Sequence, residues 1–213
     1  MNALREVQLN HPVEFMRLTL TYHGPLHAQS NSDTRVAEKH AIRREFHKQM
    51  YEAWSTHPVL HSLSEYYKKL PATTADDLTA TFSLGKFRFI PLVTQQNWLA
   101  CELDILFLRR EPAGHIVDSE TGDIDNRIKV LFDALRMPLK PEELPATAEP
   151  TSHETPFFCL LENDSLITGF RLESERLLYP PPSPDASGSE VQLTIRAQIK
   201  AVRLTWANMD VAG

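Results

Sequence analysis

The apolar positions of the chain recur with two different periods. Phe15–Tyr22 alternates apolar and polar side chains and predicts a strand, broken at His23-Gly24-Pro25. Over residues 34–54 the period lengthens. Ile42, Phe46, Met50 and Trp54 recur every fourth residue, which predicts a helix with one buried stripe, and Asp33 stands in the cap position. Two apolar runs, Phe87–Val93 and Trp98–Leu108, flank Thr94-Gln95-Gln96-Asn97 and read as a hairpin, the second run being apolar enough for a central strand. Glu102 and Asp104 alternate within that run and face either a site or solvent. Ile128, Leu131, Phe132 and Leu135 return at three- and four-residue spacing and predict a second helix. Phe157–Leu161, Phe170–Leu178 and Val191–Leu204 read as three further strands.

The intervening segments have a different character. Residues 56–86 carry prolines at 58 and 71 and a helical patch near Leu63–Leu70, and read as an insertion. Residues 138–156 hold Pro138, Pro141, Pro145, Pro150 and Pro156 and read as a loop, either a lid or a partly disordered connection. Residues 180–190 read as a flexible link. Strands and helices mixed in this way predict one domain containing both. Its core covers about 14–55, 87–137 and 157–206, with insertions at about 56–86 and 138–156.

Composition narrows the class. The 213 residues are 42% hydrophobic and 23% charged, ordinary for a globular chain with one sizeable core. No apolar run is long enough to span a membrane, and the first residues lack a signal-peptide apolar stretch. Cys101 and Cys159 sit singly in apolar runs and read as buried thiols, so a cytoplasmic location is the expectation. The net charge of −6 argues against a nucleic-acid partner, but its distribution is uneven. Arg35, Lys39, Arg43, Arg44 and Lys48 lie on the first predicted helix, and Arg127 lies within the acidic stretch 123–135. These six are the candidate phosphate contacts, beside the simpler reading of a solvated face.

That acidic stretch is Asp123-Ile-Asp125-Asn126-Arg127-Ile-Lys129-Val-Leu-Phe-Asp133-Ala-Leu135. Asp123 fits the end of an extended segment and Asp125 the N-cap of the second helix. Asp125, Lys129 and Asp133 share a face at i, i+4 and i+8. Carboxylates at the mouth of a helix with a buried side suit a hard cation such as Mg²⁺, which prefers oxygen ligands. The plain alternative is a capping Asp and a surface ion pair. A calcium loop is excluded, because counting from Asp118 or from Asp123 puts Lys129 or Ala134 where the bidentate Glu belongs. The nuclease pattern Asp…Glu-x-Lys is absent too, since Glu102-Leu103-Asp104 ends in an acid.

The pattern Asp123-x-Asp125-Asn126-x-x-Lys129-x-x-x-Asp133-Ala134-Leu135, with a later strand ending in Asn163-Asp164-Ser165, resembles the RusA-type Holliday junction resolvases. The order of elements is similar from about residue 14 to 204, and residues 123–135 and 160–166 carry the likeness. The chain differs in its longer path from the motif helix to Asp164, in added residues at 56–86 and in its acidic charge. The resemblance implies a homodimer of mixed α+β fold that cleaves branched DNA such as four-way junctions by phosphodiester hydrolysis. It implies that Asp123, Asp125 and Asp164 hold Mg²⁺, for which Mn²⁺ can substitute, and that Lys129 assists. Asn126 and Asp133 would then act behind them, Asp133 by pairing with Lys129, and Glu162 is the alternative to Asp164 as ligand. The competing expectation is a scaffold of the same kind that binds DNA structure, or a protein partner, without cutting.

Overall fold

A computed structural model describes residues 16–28, 35–68, 81–110, 124–178, 189–205, 208 and 211. Asp123 and the candidate cap Asp33 lie outside the described residues. The fold is α+β. In chain order its elements are β1 (Arg17–Pro25), α1 (Val36–Thr56), α2 (Pro58–Lys68), β2 (Phe82–Leu84), β3 (Phe87–Val93), β4 (Leu99–Arg109), α3 (Ile124–Leu135), β5 (Phe157–Leu161), β6 (Ile167–Arg176) and β7 (Glu190–Ala201). Short 3-10 turns occupy Pro141–Glu143, Ser152–Glu154 and Asp164–Leu166.

Two sheets organise the described strands. The larger has the order β1-β7-β4-β6, and the smaller β2-β3-β5. β7 runs antiparallel to both β1 and β4, whereas β4 and β6 are parallel. β4 is thus an interior strand, as its apolar run predicts. Alternation decides its faces: Cys101, Leu103, Ile105 and Phe107 are buried, opposite Ile199, Ala197, Ile195 and Leu193 of β7. Glu102 and Asp104 lie on the other face, where they pair with Lys200 and Arg196 at 2.5 and 3.9 Å.

The expected hairpin of β3 with β4 does not form. β3 pairs in parallel with β5 and antiparallel with β2, so the turn at 94–98 carries the chain from one sheet to the other. The burial of β3 explains why. From Phe89 to Val93 every residue is buried, on both faces of the strand, which suits an interior strand rather than one arm of a half-exposed ribbon. Pro91 is tolerated because β2 pairs only with residues 87–89.

α1 packs against β1, α2, α3 and β5. Its predicted stripe Ile42, Phe46, Met50 and Trp54 is buried in the main core. A second row, His40, Arg43 and His47, is buried too. The segment 138–156 is an ordered wrap. Arg136 holds Glu143 at 2.7 Å, and Arg44 holds Glu154 at 2.8 Å. Thr151 and Glu154 close a capping box around the 152–154 turn.

Candidate functional site

Helix α3 positions the motif. Ile124, Ile128, Val130, Leu131, Ala134 and Leu135 are buried, so the helix is fixed along one side by apolar packing. Asp125 stands in the first turn, where a carboxylate is stabilised by the positive end of the helix dipole. Its side chain is 57% exposed and that of Lys129 63%. Lys129 Nζ donates to Asn126 Oδ1 at 3.1 Å and to Asp125 Oδ2 at 3.4 Å. The three side chains form one solvated cluster, and such exposed pairs are worth well under about 1 kcal/mol. The cluster therefore costs little to rearrange around an incoming charge.

Asp164 is exposed in the turn that follows β5, and Asn163 caps that turn by accepting from Ser165 N at 2.9 Å. The turn packs against both α3 and β4. The strands on either side of the turn meet the C-terminal half of α3. Met137 N donates to Leu161 O at 2.9 Å, and the Phe132 and Phe170 rings meet edge to face at 5.3 Å. Phe132 stands seven residues beyond Asp125, about 10 Å along the helix axis. The structure thus brings the turn of Asp164 to the helix of Asp125 and Lys129. Among the described residues, which exclude Asp123, no three His, Cys, Asp or Glu side chains group closely enough to hold a metal ion. Glu162, the alternative ligand, accepts from Gln95 N at 2.8 Å and is tied to the 94–98 turn.

Asp133 does not pair with Lys129. It binds Lys39 and Arg136, each at 2.6 Å. The reason is helix direction: Asp133 faces α1, whereas Lys129 turns towards the N-terminal end of α3. Most of the six candidate phosphate contacts are also engaged within the fold. Arg43 is 2% exposed and donates to Arg136 O at 2.9 Å and Asp133 O at 2.8 Å, satisfying carbonyls that the end of α3 leaves open. Burial lowers the pKa of Arg43, whereas Arg136, though burial pulls it down, is held above its ordinary value by Glu143 and Asp133. Arg127 is buried, so neither it nor Arg43 lies at a surface that a phosphate can reach. Lys39 is closed against Asp133, and Arg44 binds Glu154 and donates to Glu149 O at 2.8 Å. Arg35 occupies the N-cap position of α1 at φ 49° and reaches Ala28 O and Glu38. Lys48 is 67% exposed beside Glu45.

Two histidines of α1 are functional to the fold in a way that periodicity does not show. His47 Nδ1 accepts from Phe158 N at 2.9 Å, which satisfies an N–H on the free edge of β5. Its Nε2 then carries the proton and donates to His153 O at 2.9 Å. Burial, the leading cause, lowers its pKa. His40 packs between Phe87 and Phe157. Among the described residues no helix is long and apolar enough to cross a membrane. No protein-family model, curated protein or solved structure matches this chain.

Proposed function

We propose that this protein is a divalent-metal-dependent endonuclease of the RusA kind that hydrolyses a phosphodiester in branched DNA. The observation that carries the reading is the exposed Asp125, Asn126 and Lys129 cluster on a helix whose opposite side is locked in the core, with the turn of Asp164 packed on that helix. The donor chemistry fits Mg²⁺: the carboxylates of Asp125 and Asp164 are exposed hard oxygens. Asp125 and Asp164, joined by Asp123, would hold the ion. When bound, the metal supplies charge neutralisation at the phosphate and a more acidic attacking water. Lys129 releases Asp125 and turns to the scissile phosphate, adding a cation where negative charge develops. Asn126, which accepts from Lys129 at 3.1 Å, steadies the lysine beside Asp125.

A second reading is favoured by one specific finding. Lys39, Arg43, Arg44 and Arg127, expected at phosphates, are buried or engaged within the fold. A scaffold that binds a protein partner without cutting needs none of these phosphate contacts. Cleavage of a synthetic four-way junction in Mn²⁺, compared with linear duplex, separates the two. Wild type should cut and Asp125→Asn should lose at least about a hundredfold in rate, as removal of a metal ligand costing several kcal/mol predicts, with its melting transition retained. Equal cutting by both proteins, or none by wild type, refutes the nuclease reading.

A further inference from the structure

We propose that Trp98 and Arg203 form a stacking platform for an unpaired nucleobase at a branch in the nucleic acid. This deepens the nucleic-acid reading above and rests on it. Trp98 closes the turn between β3 and β4, with its N–H on Gln95 O at 3.0 Å and Leu99 N on Thr94 O at 3.1 Å. Its φ is 54°, a left-handed backbone that glycine or asparagine adopts readily and a bulky residue does not. The strained residue nevertheless leaves its indole 47% exposed, where a packing role would bury it.

A second loop completes the surface. Val202 N donates to Trp98 O at 2.8 Å, and the Arg203 guanidinium carbon lies 5.7 Å from the indole centroid. Val202 and Leu204, beside it, are 66% and 64% exposed. Asn208, with no exposed surface, ties the two loops together. Its Nδ2 donates to Asn97 O at 2.7 Å and to Arg203 O at 2.8 Å, and its Oδ1 accepts from Thr205 N at 2.8 Å. A buried amide thus holds an indole and a guanidinium together at the surface. The platform also adjoins the candidate site, because Gln95, in the same turn, donates its N–H to Glu162, two residues from Asp164.

An unpaired base needs an aromatic face to replace its lost stacking partner and a cation for its neighbouring phosphate. Trp98 and Arg203 offer both, with the apolar side chains of Val202 and Leu204 beside them. The substrate class that follows is DNA carrying unpaired bases next to a branch.

The test uses the full-length protein in EDTA, so that binding is read without cleavage. The probes are a forked DNA with 2-aminopurine in the unpaired segment beside the branch and a covalently closed circular duplex, which has no ends. Trp98→Leu keeps an apolar side chain on the same backbone, and Trp98→Phe keeps an aromatic ring. Trp98→Leu should weaken fork binding about five- to 150-fold, the range that base stacking supports, and abolish the 2-aminopurine signal. Duplex binding should be unchanged, and Trp98→Phe should retain most of the fork affinity. Should Trp98→Leu fail to fold, Arg203→Met leaves the backbone in place and carries the same test. Fork affinity equal to wild type, an equal loss on fork and duplex, or a change only in self-association by sedimentation overturns the platform. Binding is read in EDTA and cleavage in Mn²⁺, so the two readings are tested apart. Platform-dependent binding without Mn²⁺ cleavage therefore sinks only the nuclease reading, and cleavage with binding indifferent to Trp98 sinks only the platform.

Discussion

Replacing His40 with leucine should flatten the acid limb of the stability profile. His40 is 3% exposed, and among the described residues neither ring nitrogen has a hydrogen-bond partner. The ring lies 5.5 Å from Phe87 and 6.1 Å from Phe157, centroid to centroid. Burial first, then the guanidiniums of Arg43 and Arg44, lower its pKa from 6.5 to about 4, against an opposing pull from Glu154. The imidazole is neutral in the fold at neutral pH, and unfolding takes up a proton between about pH 4 and pH 6.5. Its contribution to stability is therefore full above pH 6.5 and is lost as pH falls towards 4. One pKa unit corresponds to about 1.4 kcal/mol, so the whole effect is about 3 kcal/mol, of which about 2 kcal/mol falls between roughly pH 7.5 and roughly pH 5. Urea unfolding of wild type and His40→Leu at constant ionic strength measures it. The gap between the two proteins is the quantity to follow, because it isolates His40 from the other ionisable groups. At neutral pH the variant should be no less stable than wild type. It removes two unpartnered polar atoms, each costing about 1–3 kcal/mol, against a modest loss of shape fit. A gap that stays constant to within about 0.5 kcal/mol across that range would show that His40 is not held neutral in the fold.

Two further expectations test the packing around α3 and the strands. Arg43→Met should destabilise by about 2–4 kcal/mol in urea, because the carbonyls of Asp133 and Arg136 lose a charged donor. It should leave the salt slope of DNA binding unchanged, and a shallower slope would return Arg43 to the list of phosphate contacts. Cys101 and Cys159 are buried free thiols whose pKa burial pushes up to about 12. Both should resist a thiol-disulfide reagent at pH 8 in the native protein, where only about one thiol in ten thousand is ionised, and react on unfolding. Rapid native labelling of either one would contradict its placement in the core.

The parts of the fold that read directly from the sequence are those in which one face meets the core. The i+4 stripe of α1, the apolar side of α3 and the alternation in β4 and β7 each state their own burial. The partner of β3 did not read this way. Its pairing with β5 joins Phe89 to Phe157, across a separation that no local pattern reports, and a short polar turn before β4 resembles a hairpin loop. Nor does charge along a helix disclose its use. Arg43 and Lys48 look alike in sequence, yet one is buried against backbone carbonyls and the other stands in solvent. The segment 138–156 reads as loose from its prolines, because the contacts of Glu143 and Glu154 that order it come from Arg136 and Arg44. At the candidate site the spacing of Asp125, Asn126 and Lys129 was legible, whereas the pairing of Asp133 was not, since its partner Lys39 lies on another helix. Trp98 was read only as the start of a strand. Its one local signal is a bulky residue at the end of a short polar turn.

The basic residues of α1 do bear on the candidate site, through α3 rather than through a ligand. Arg43 and Arg136 bring positive charge to the C-terminal end of α3, and Asp125 brings negative charge to its first turn. Both placements complement the helix dipole, each by a few tenths to about 1 kcal/mol where exposed and more where buried. Lys39 and Arg136 clamp Asp133 between the two helices. With its C-terminal end held by hydrogen bonds and its side by apolar packing, α3 has little freedom to pivot. Asp125, Asn126 and Lys129, on the solvent side of its N-terminal half, are the side chains that can rearrange at low cost. A rigid axis with a mobile polar tip is what a site needs if it must present carboxylates to a cation and then move a lysine towards a phosphate.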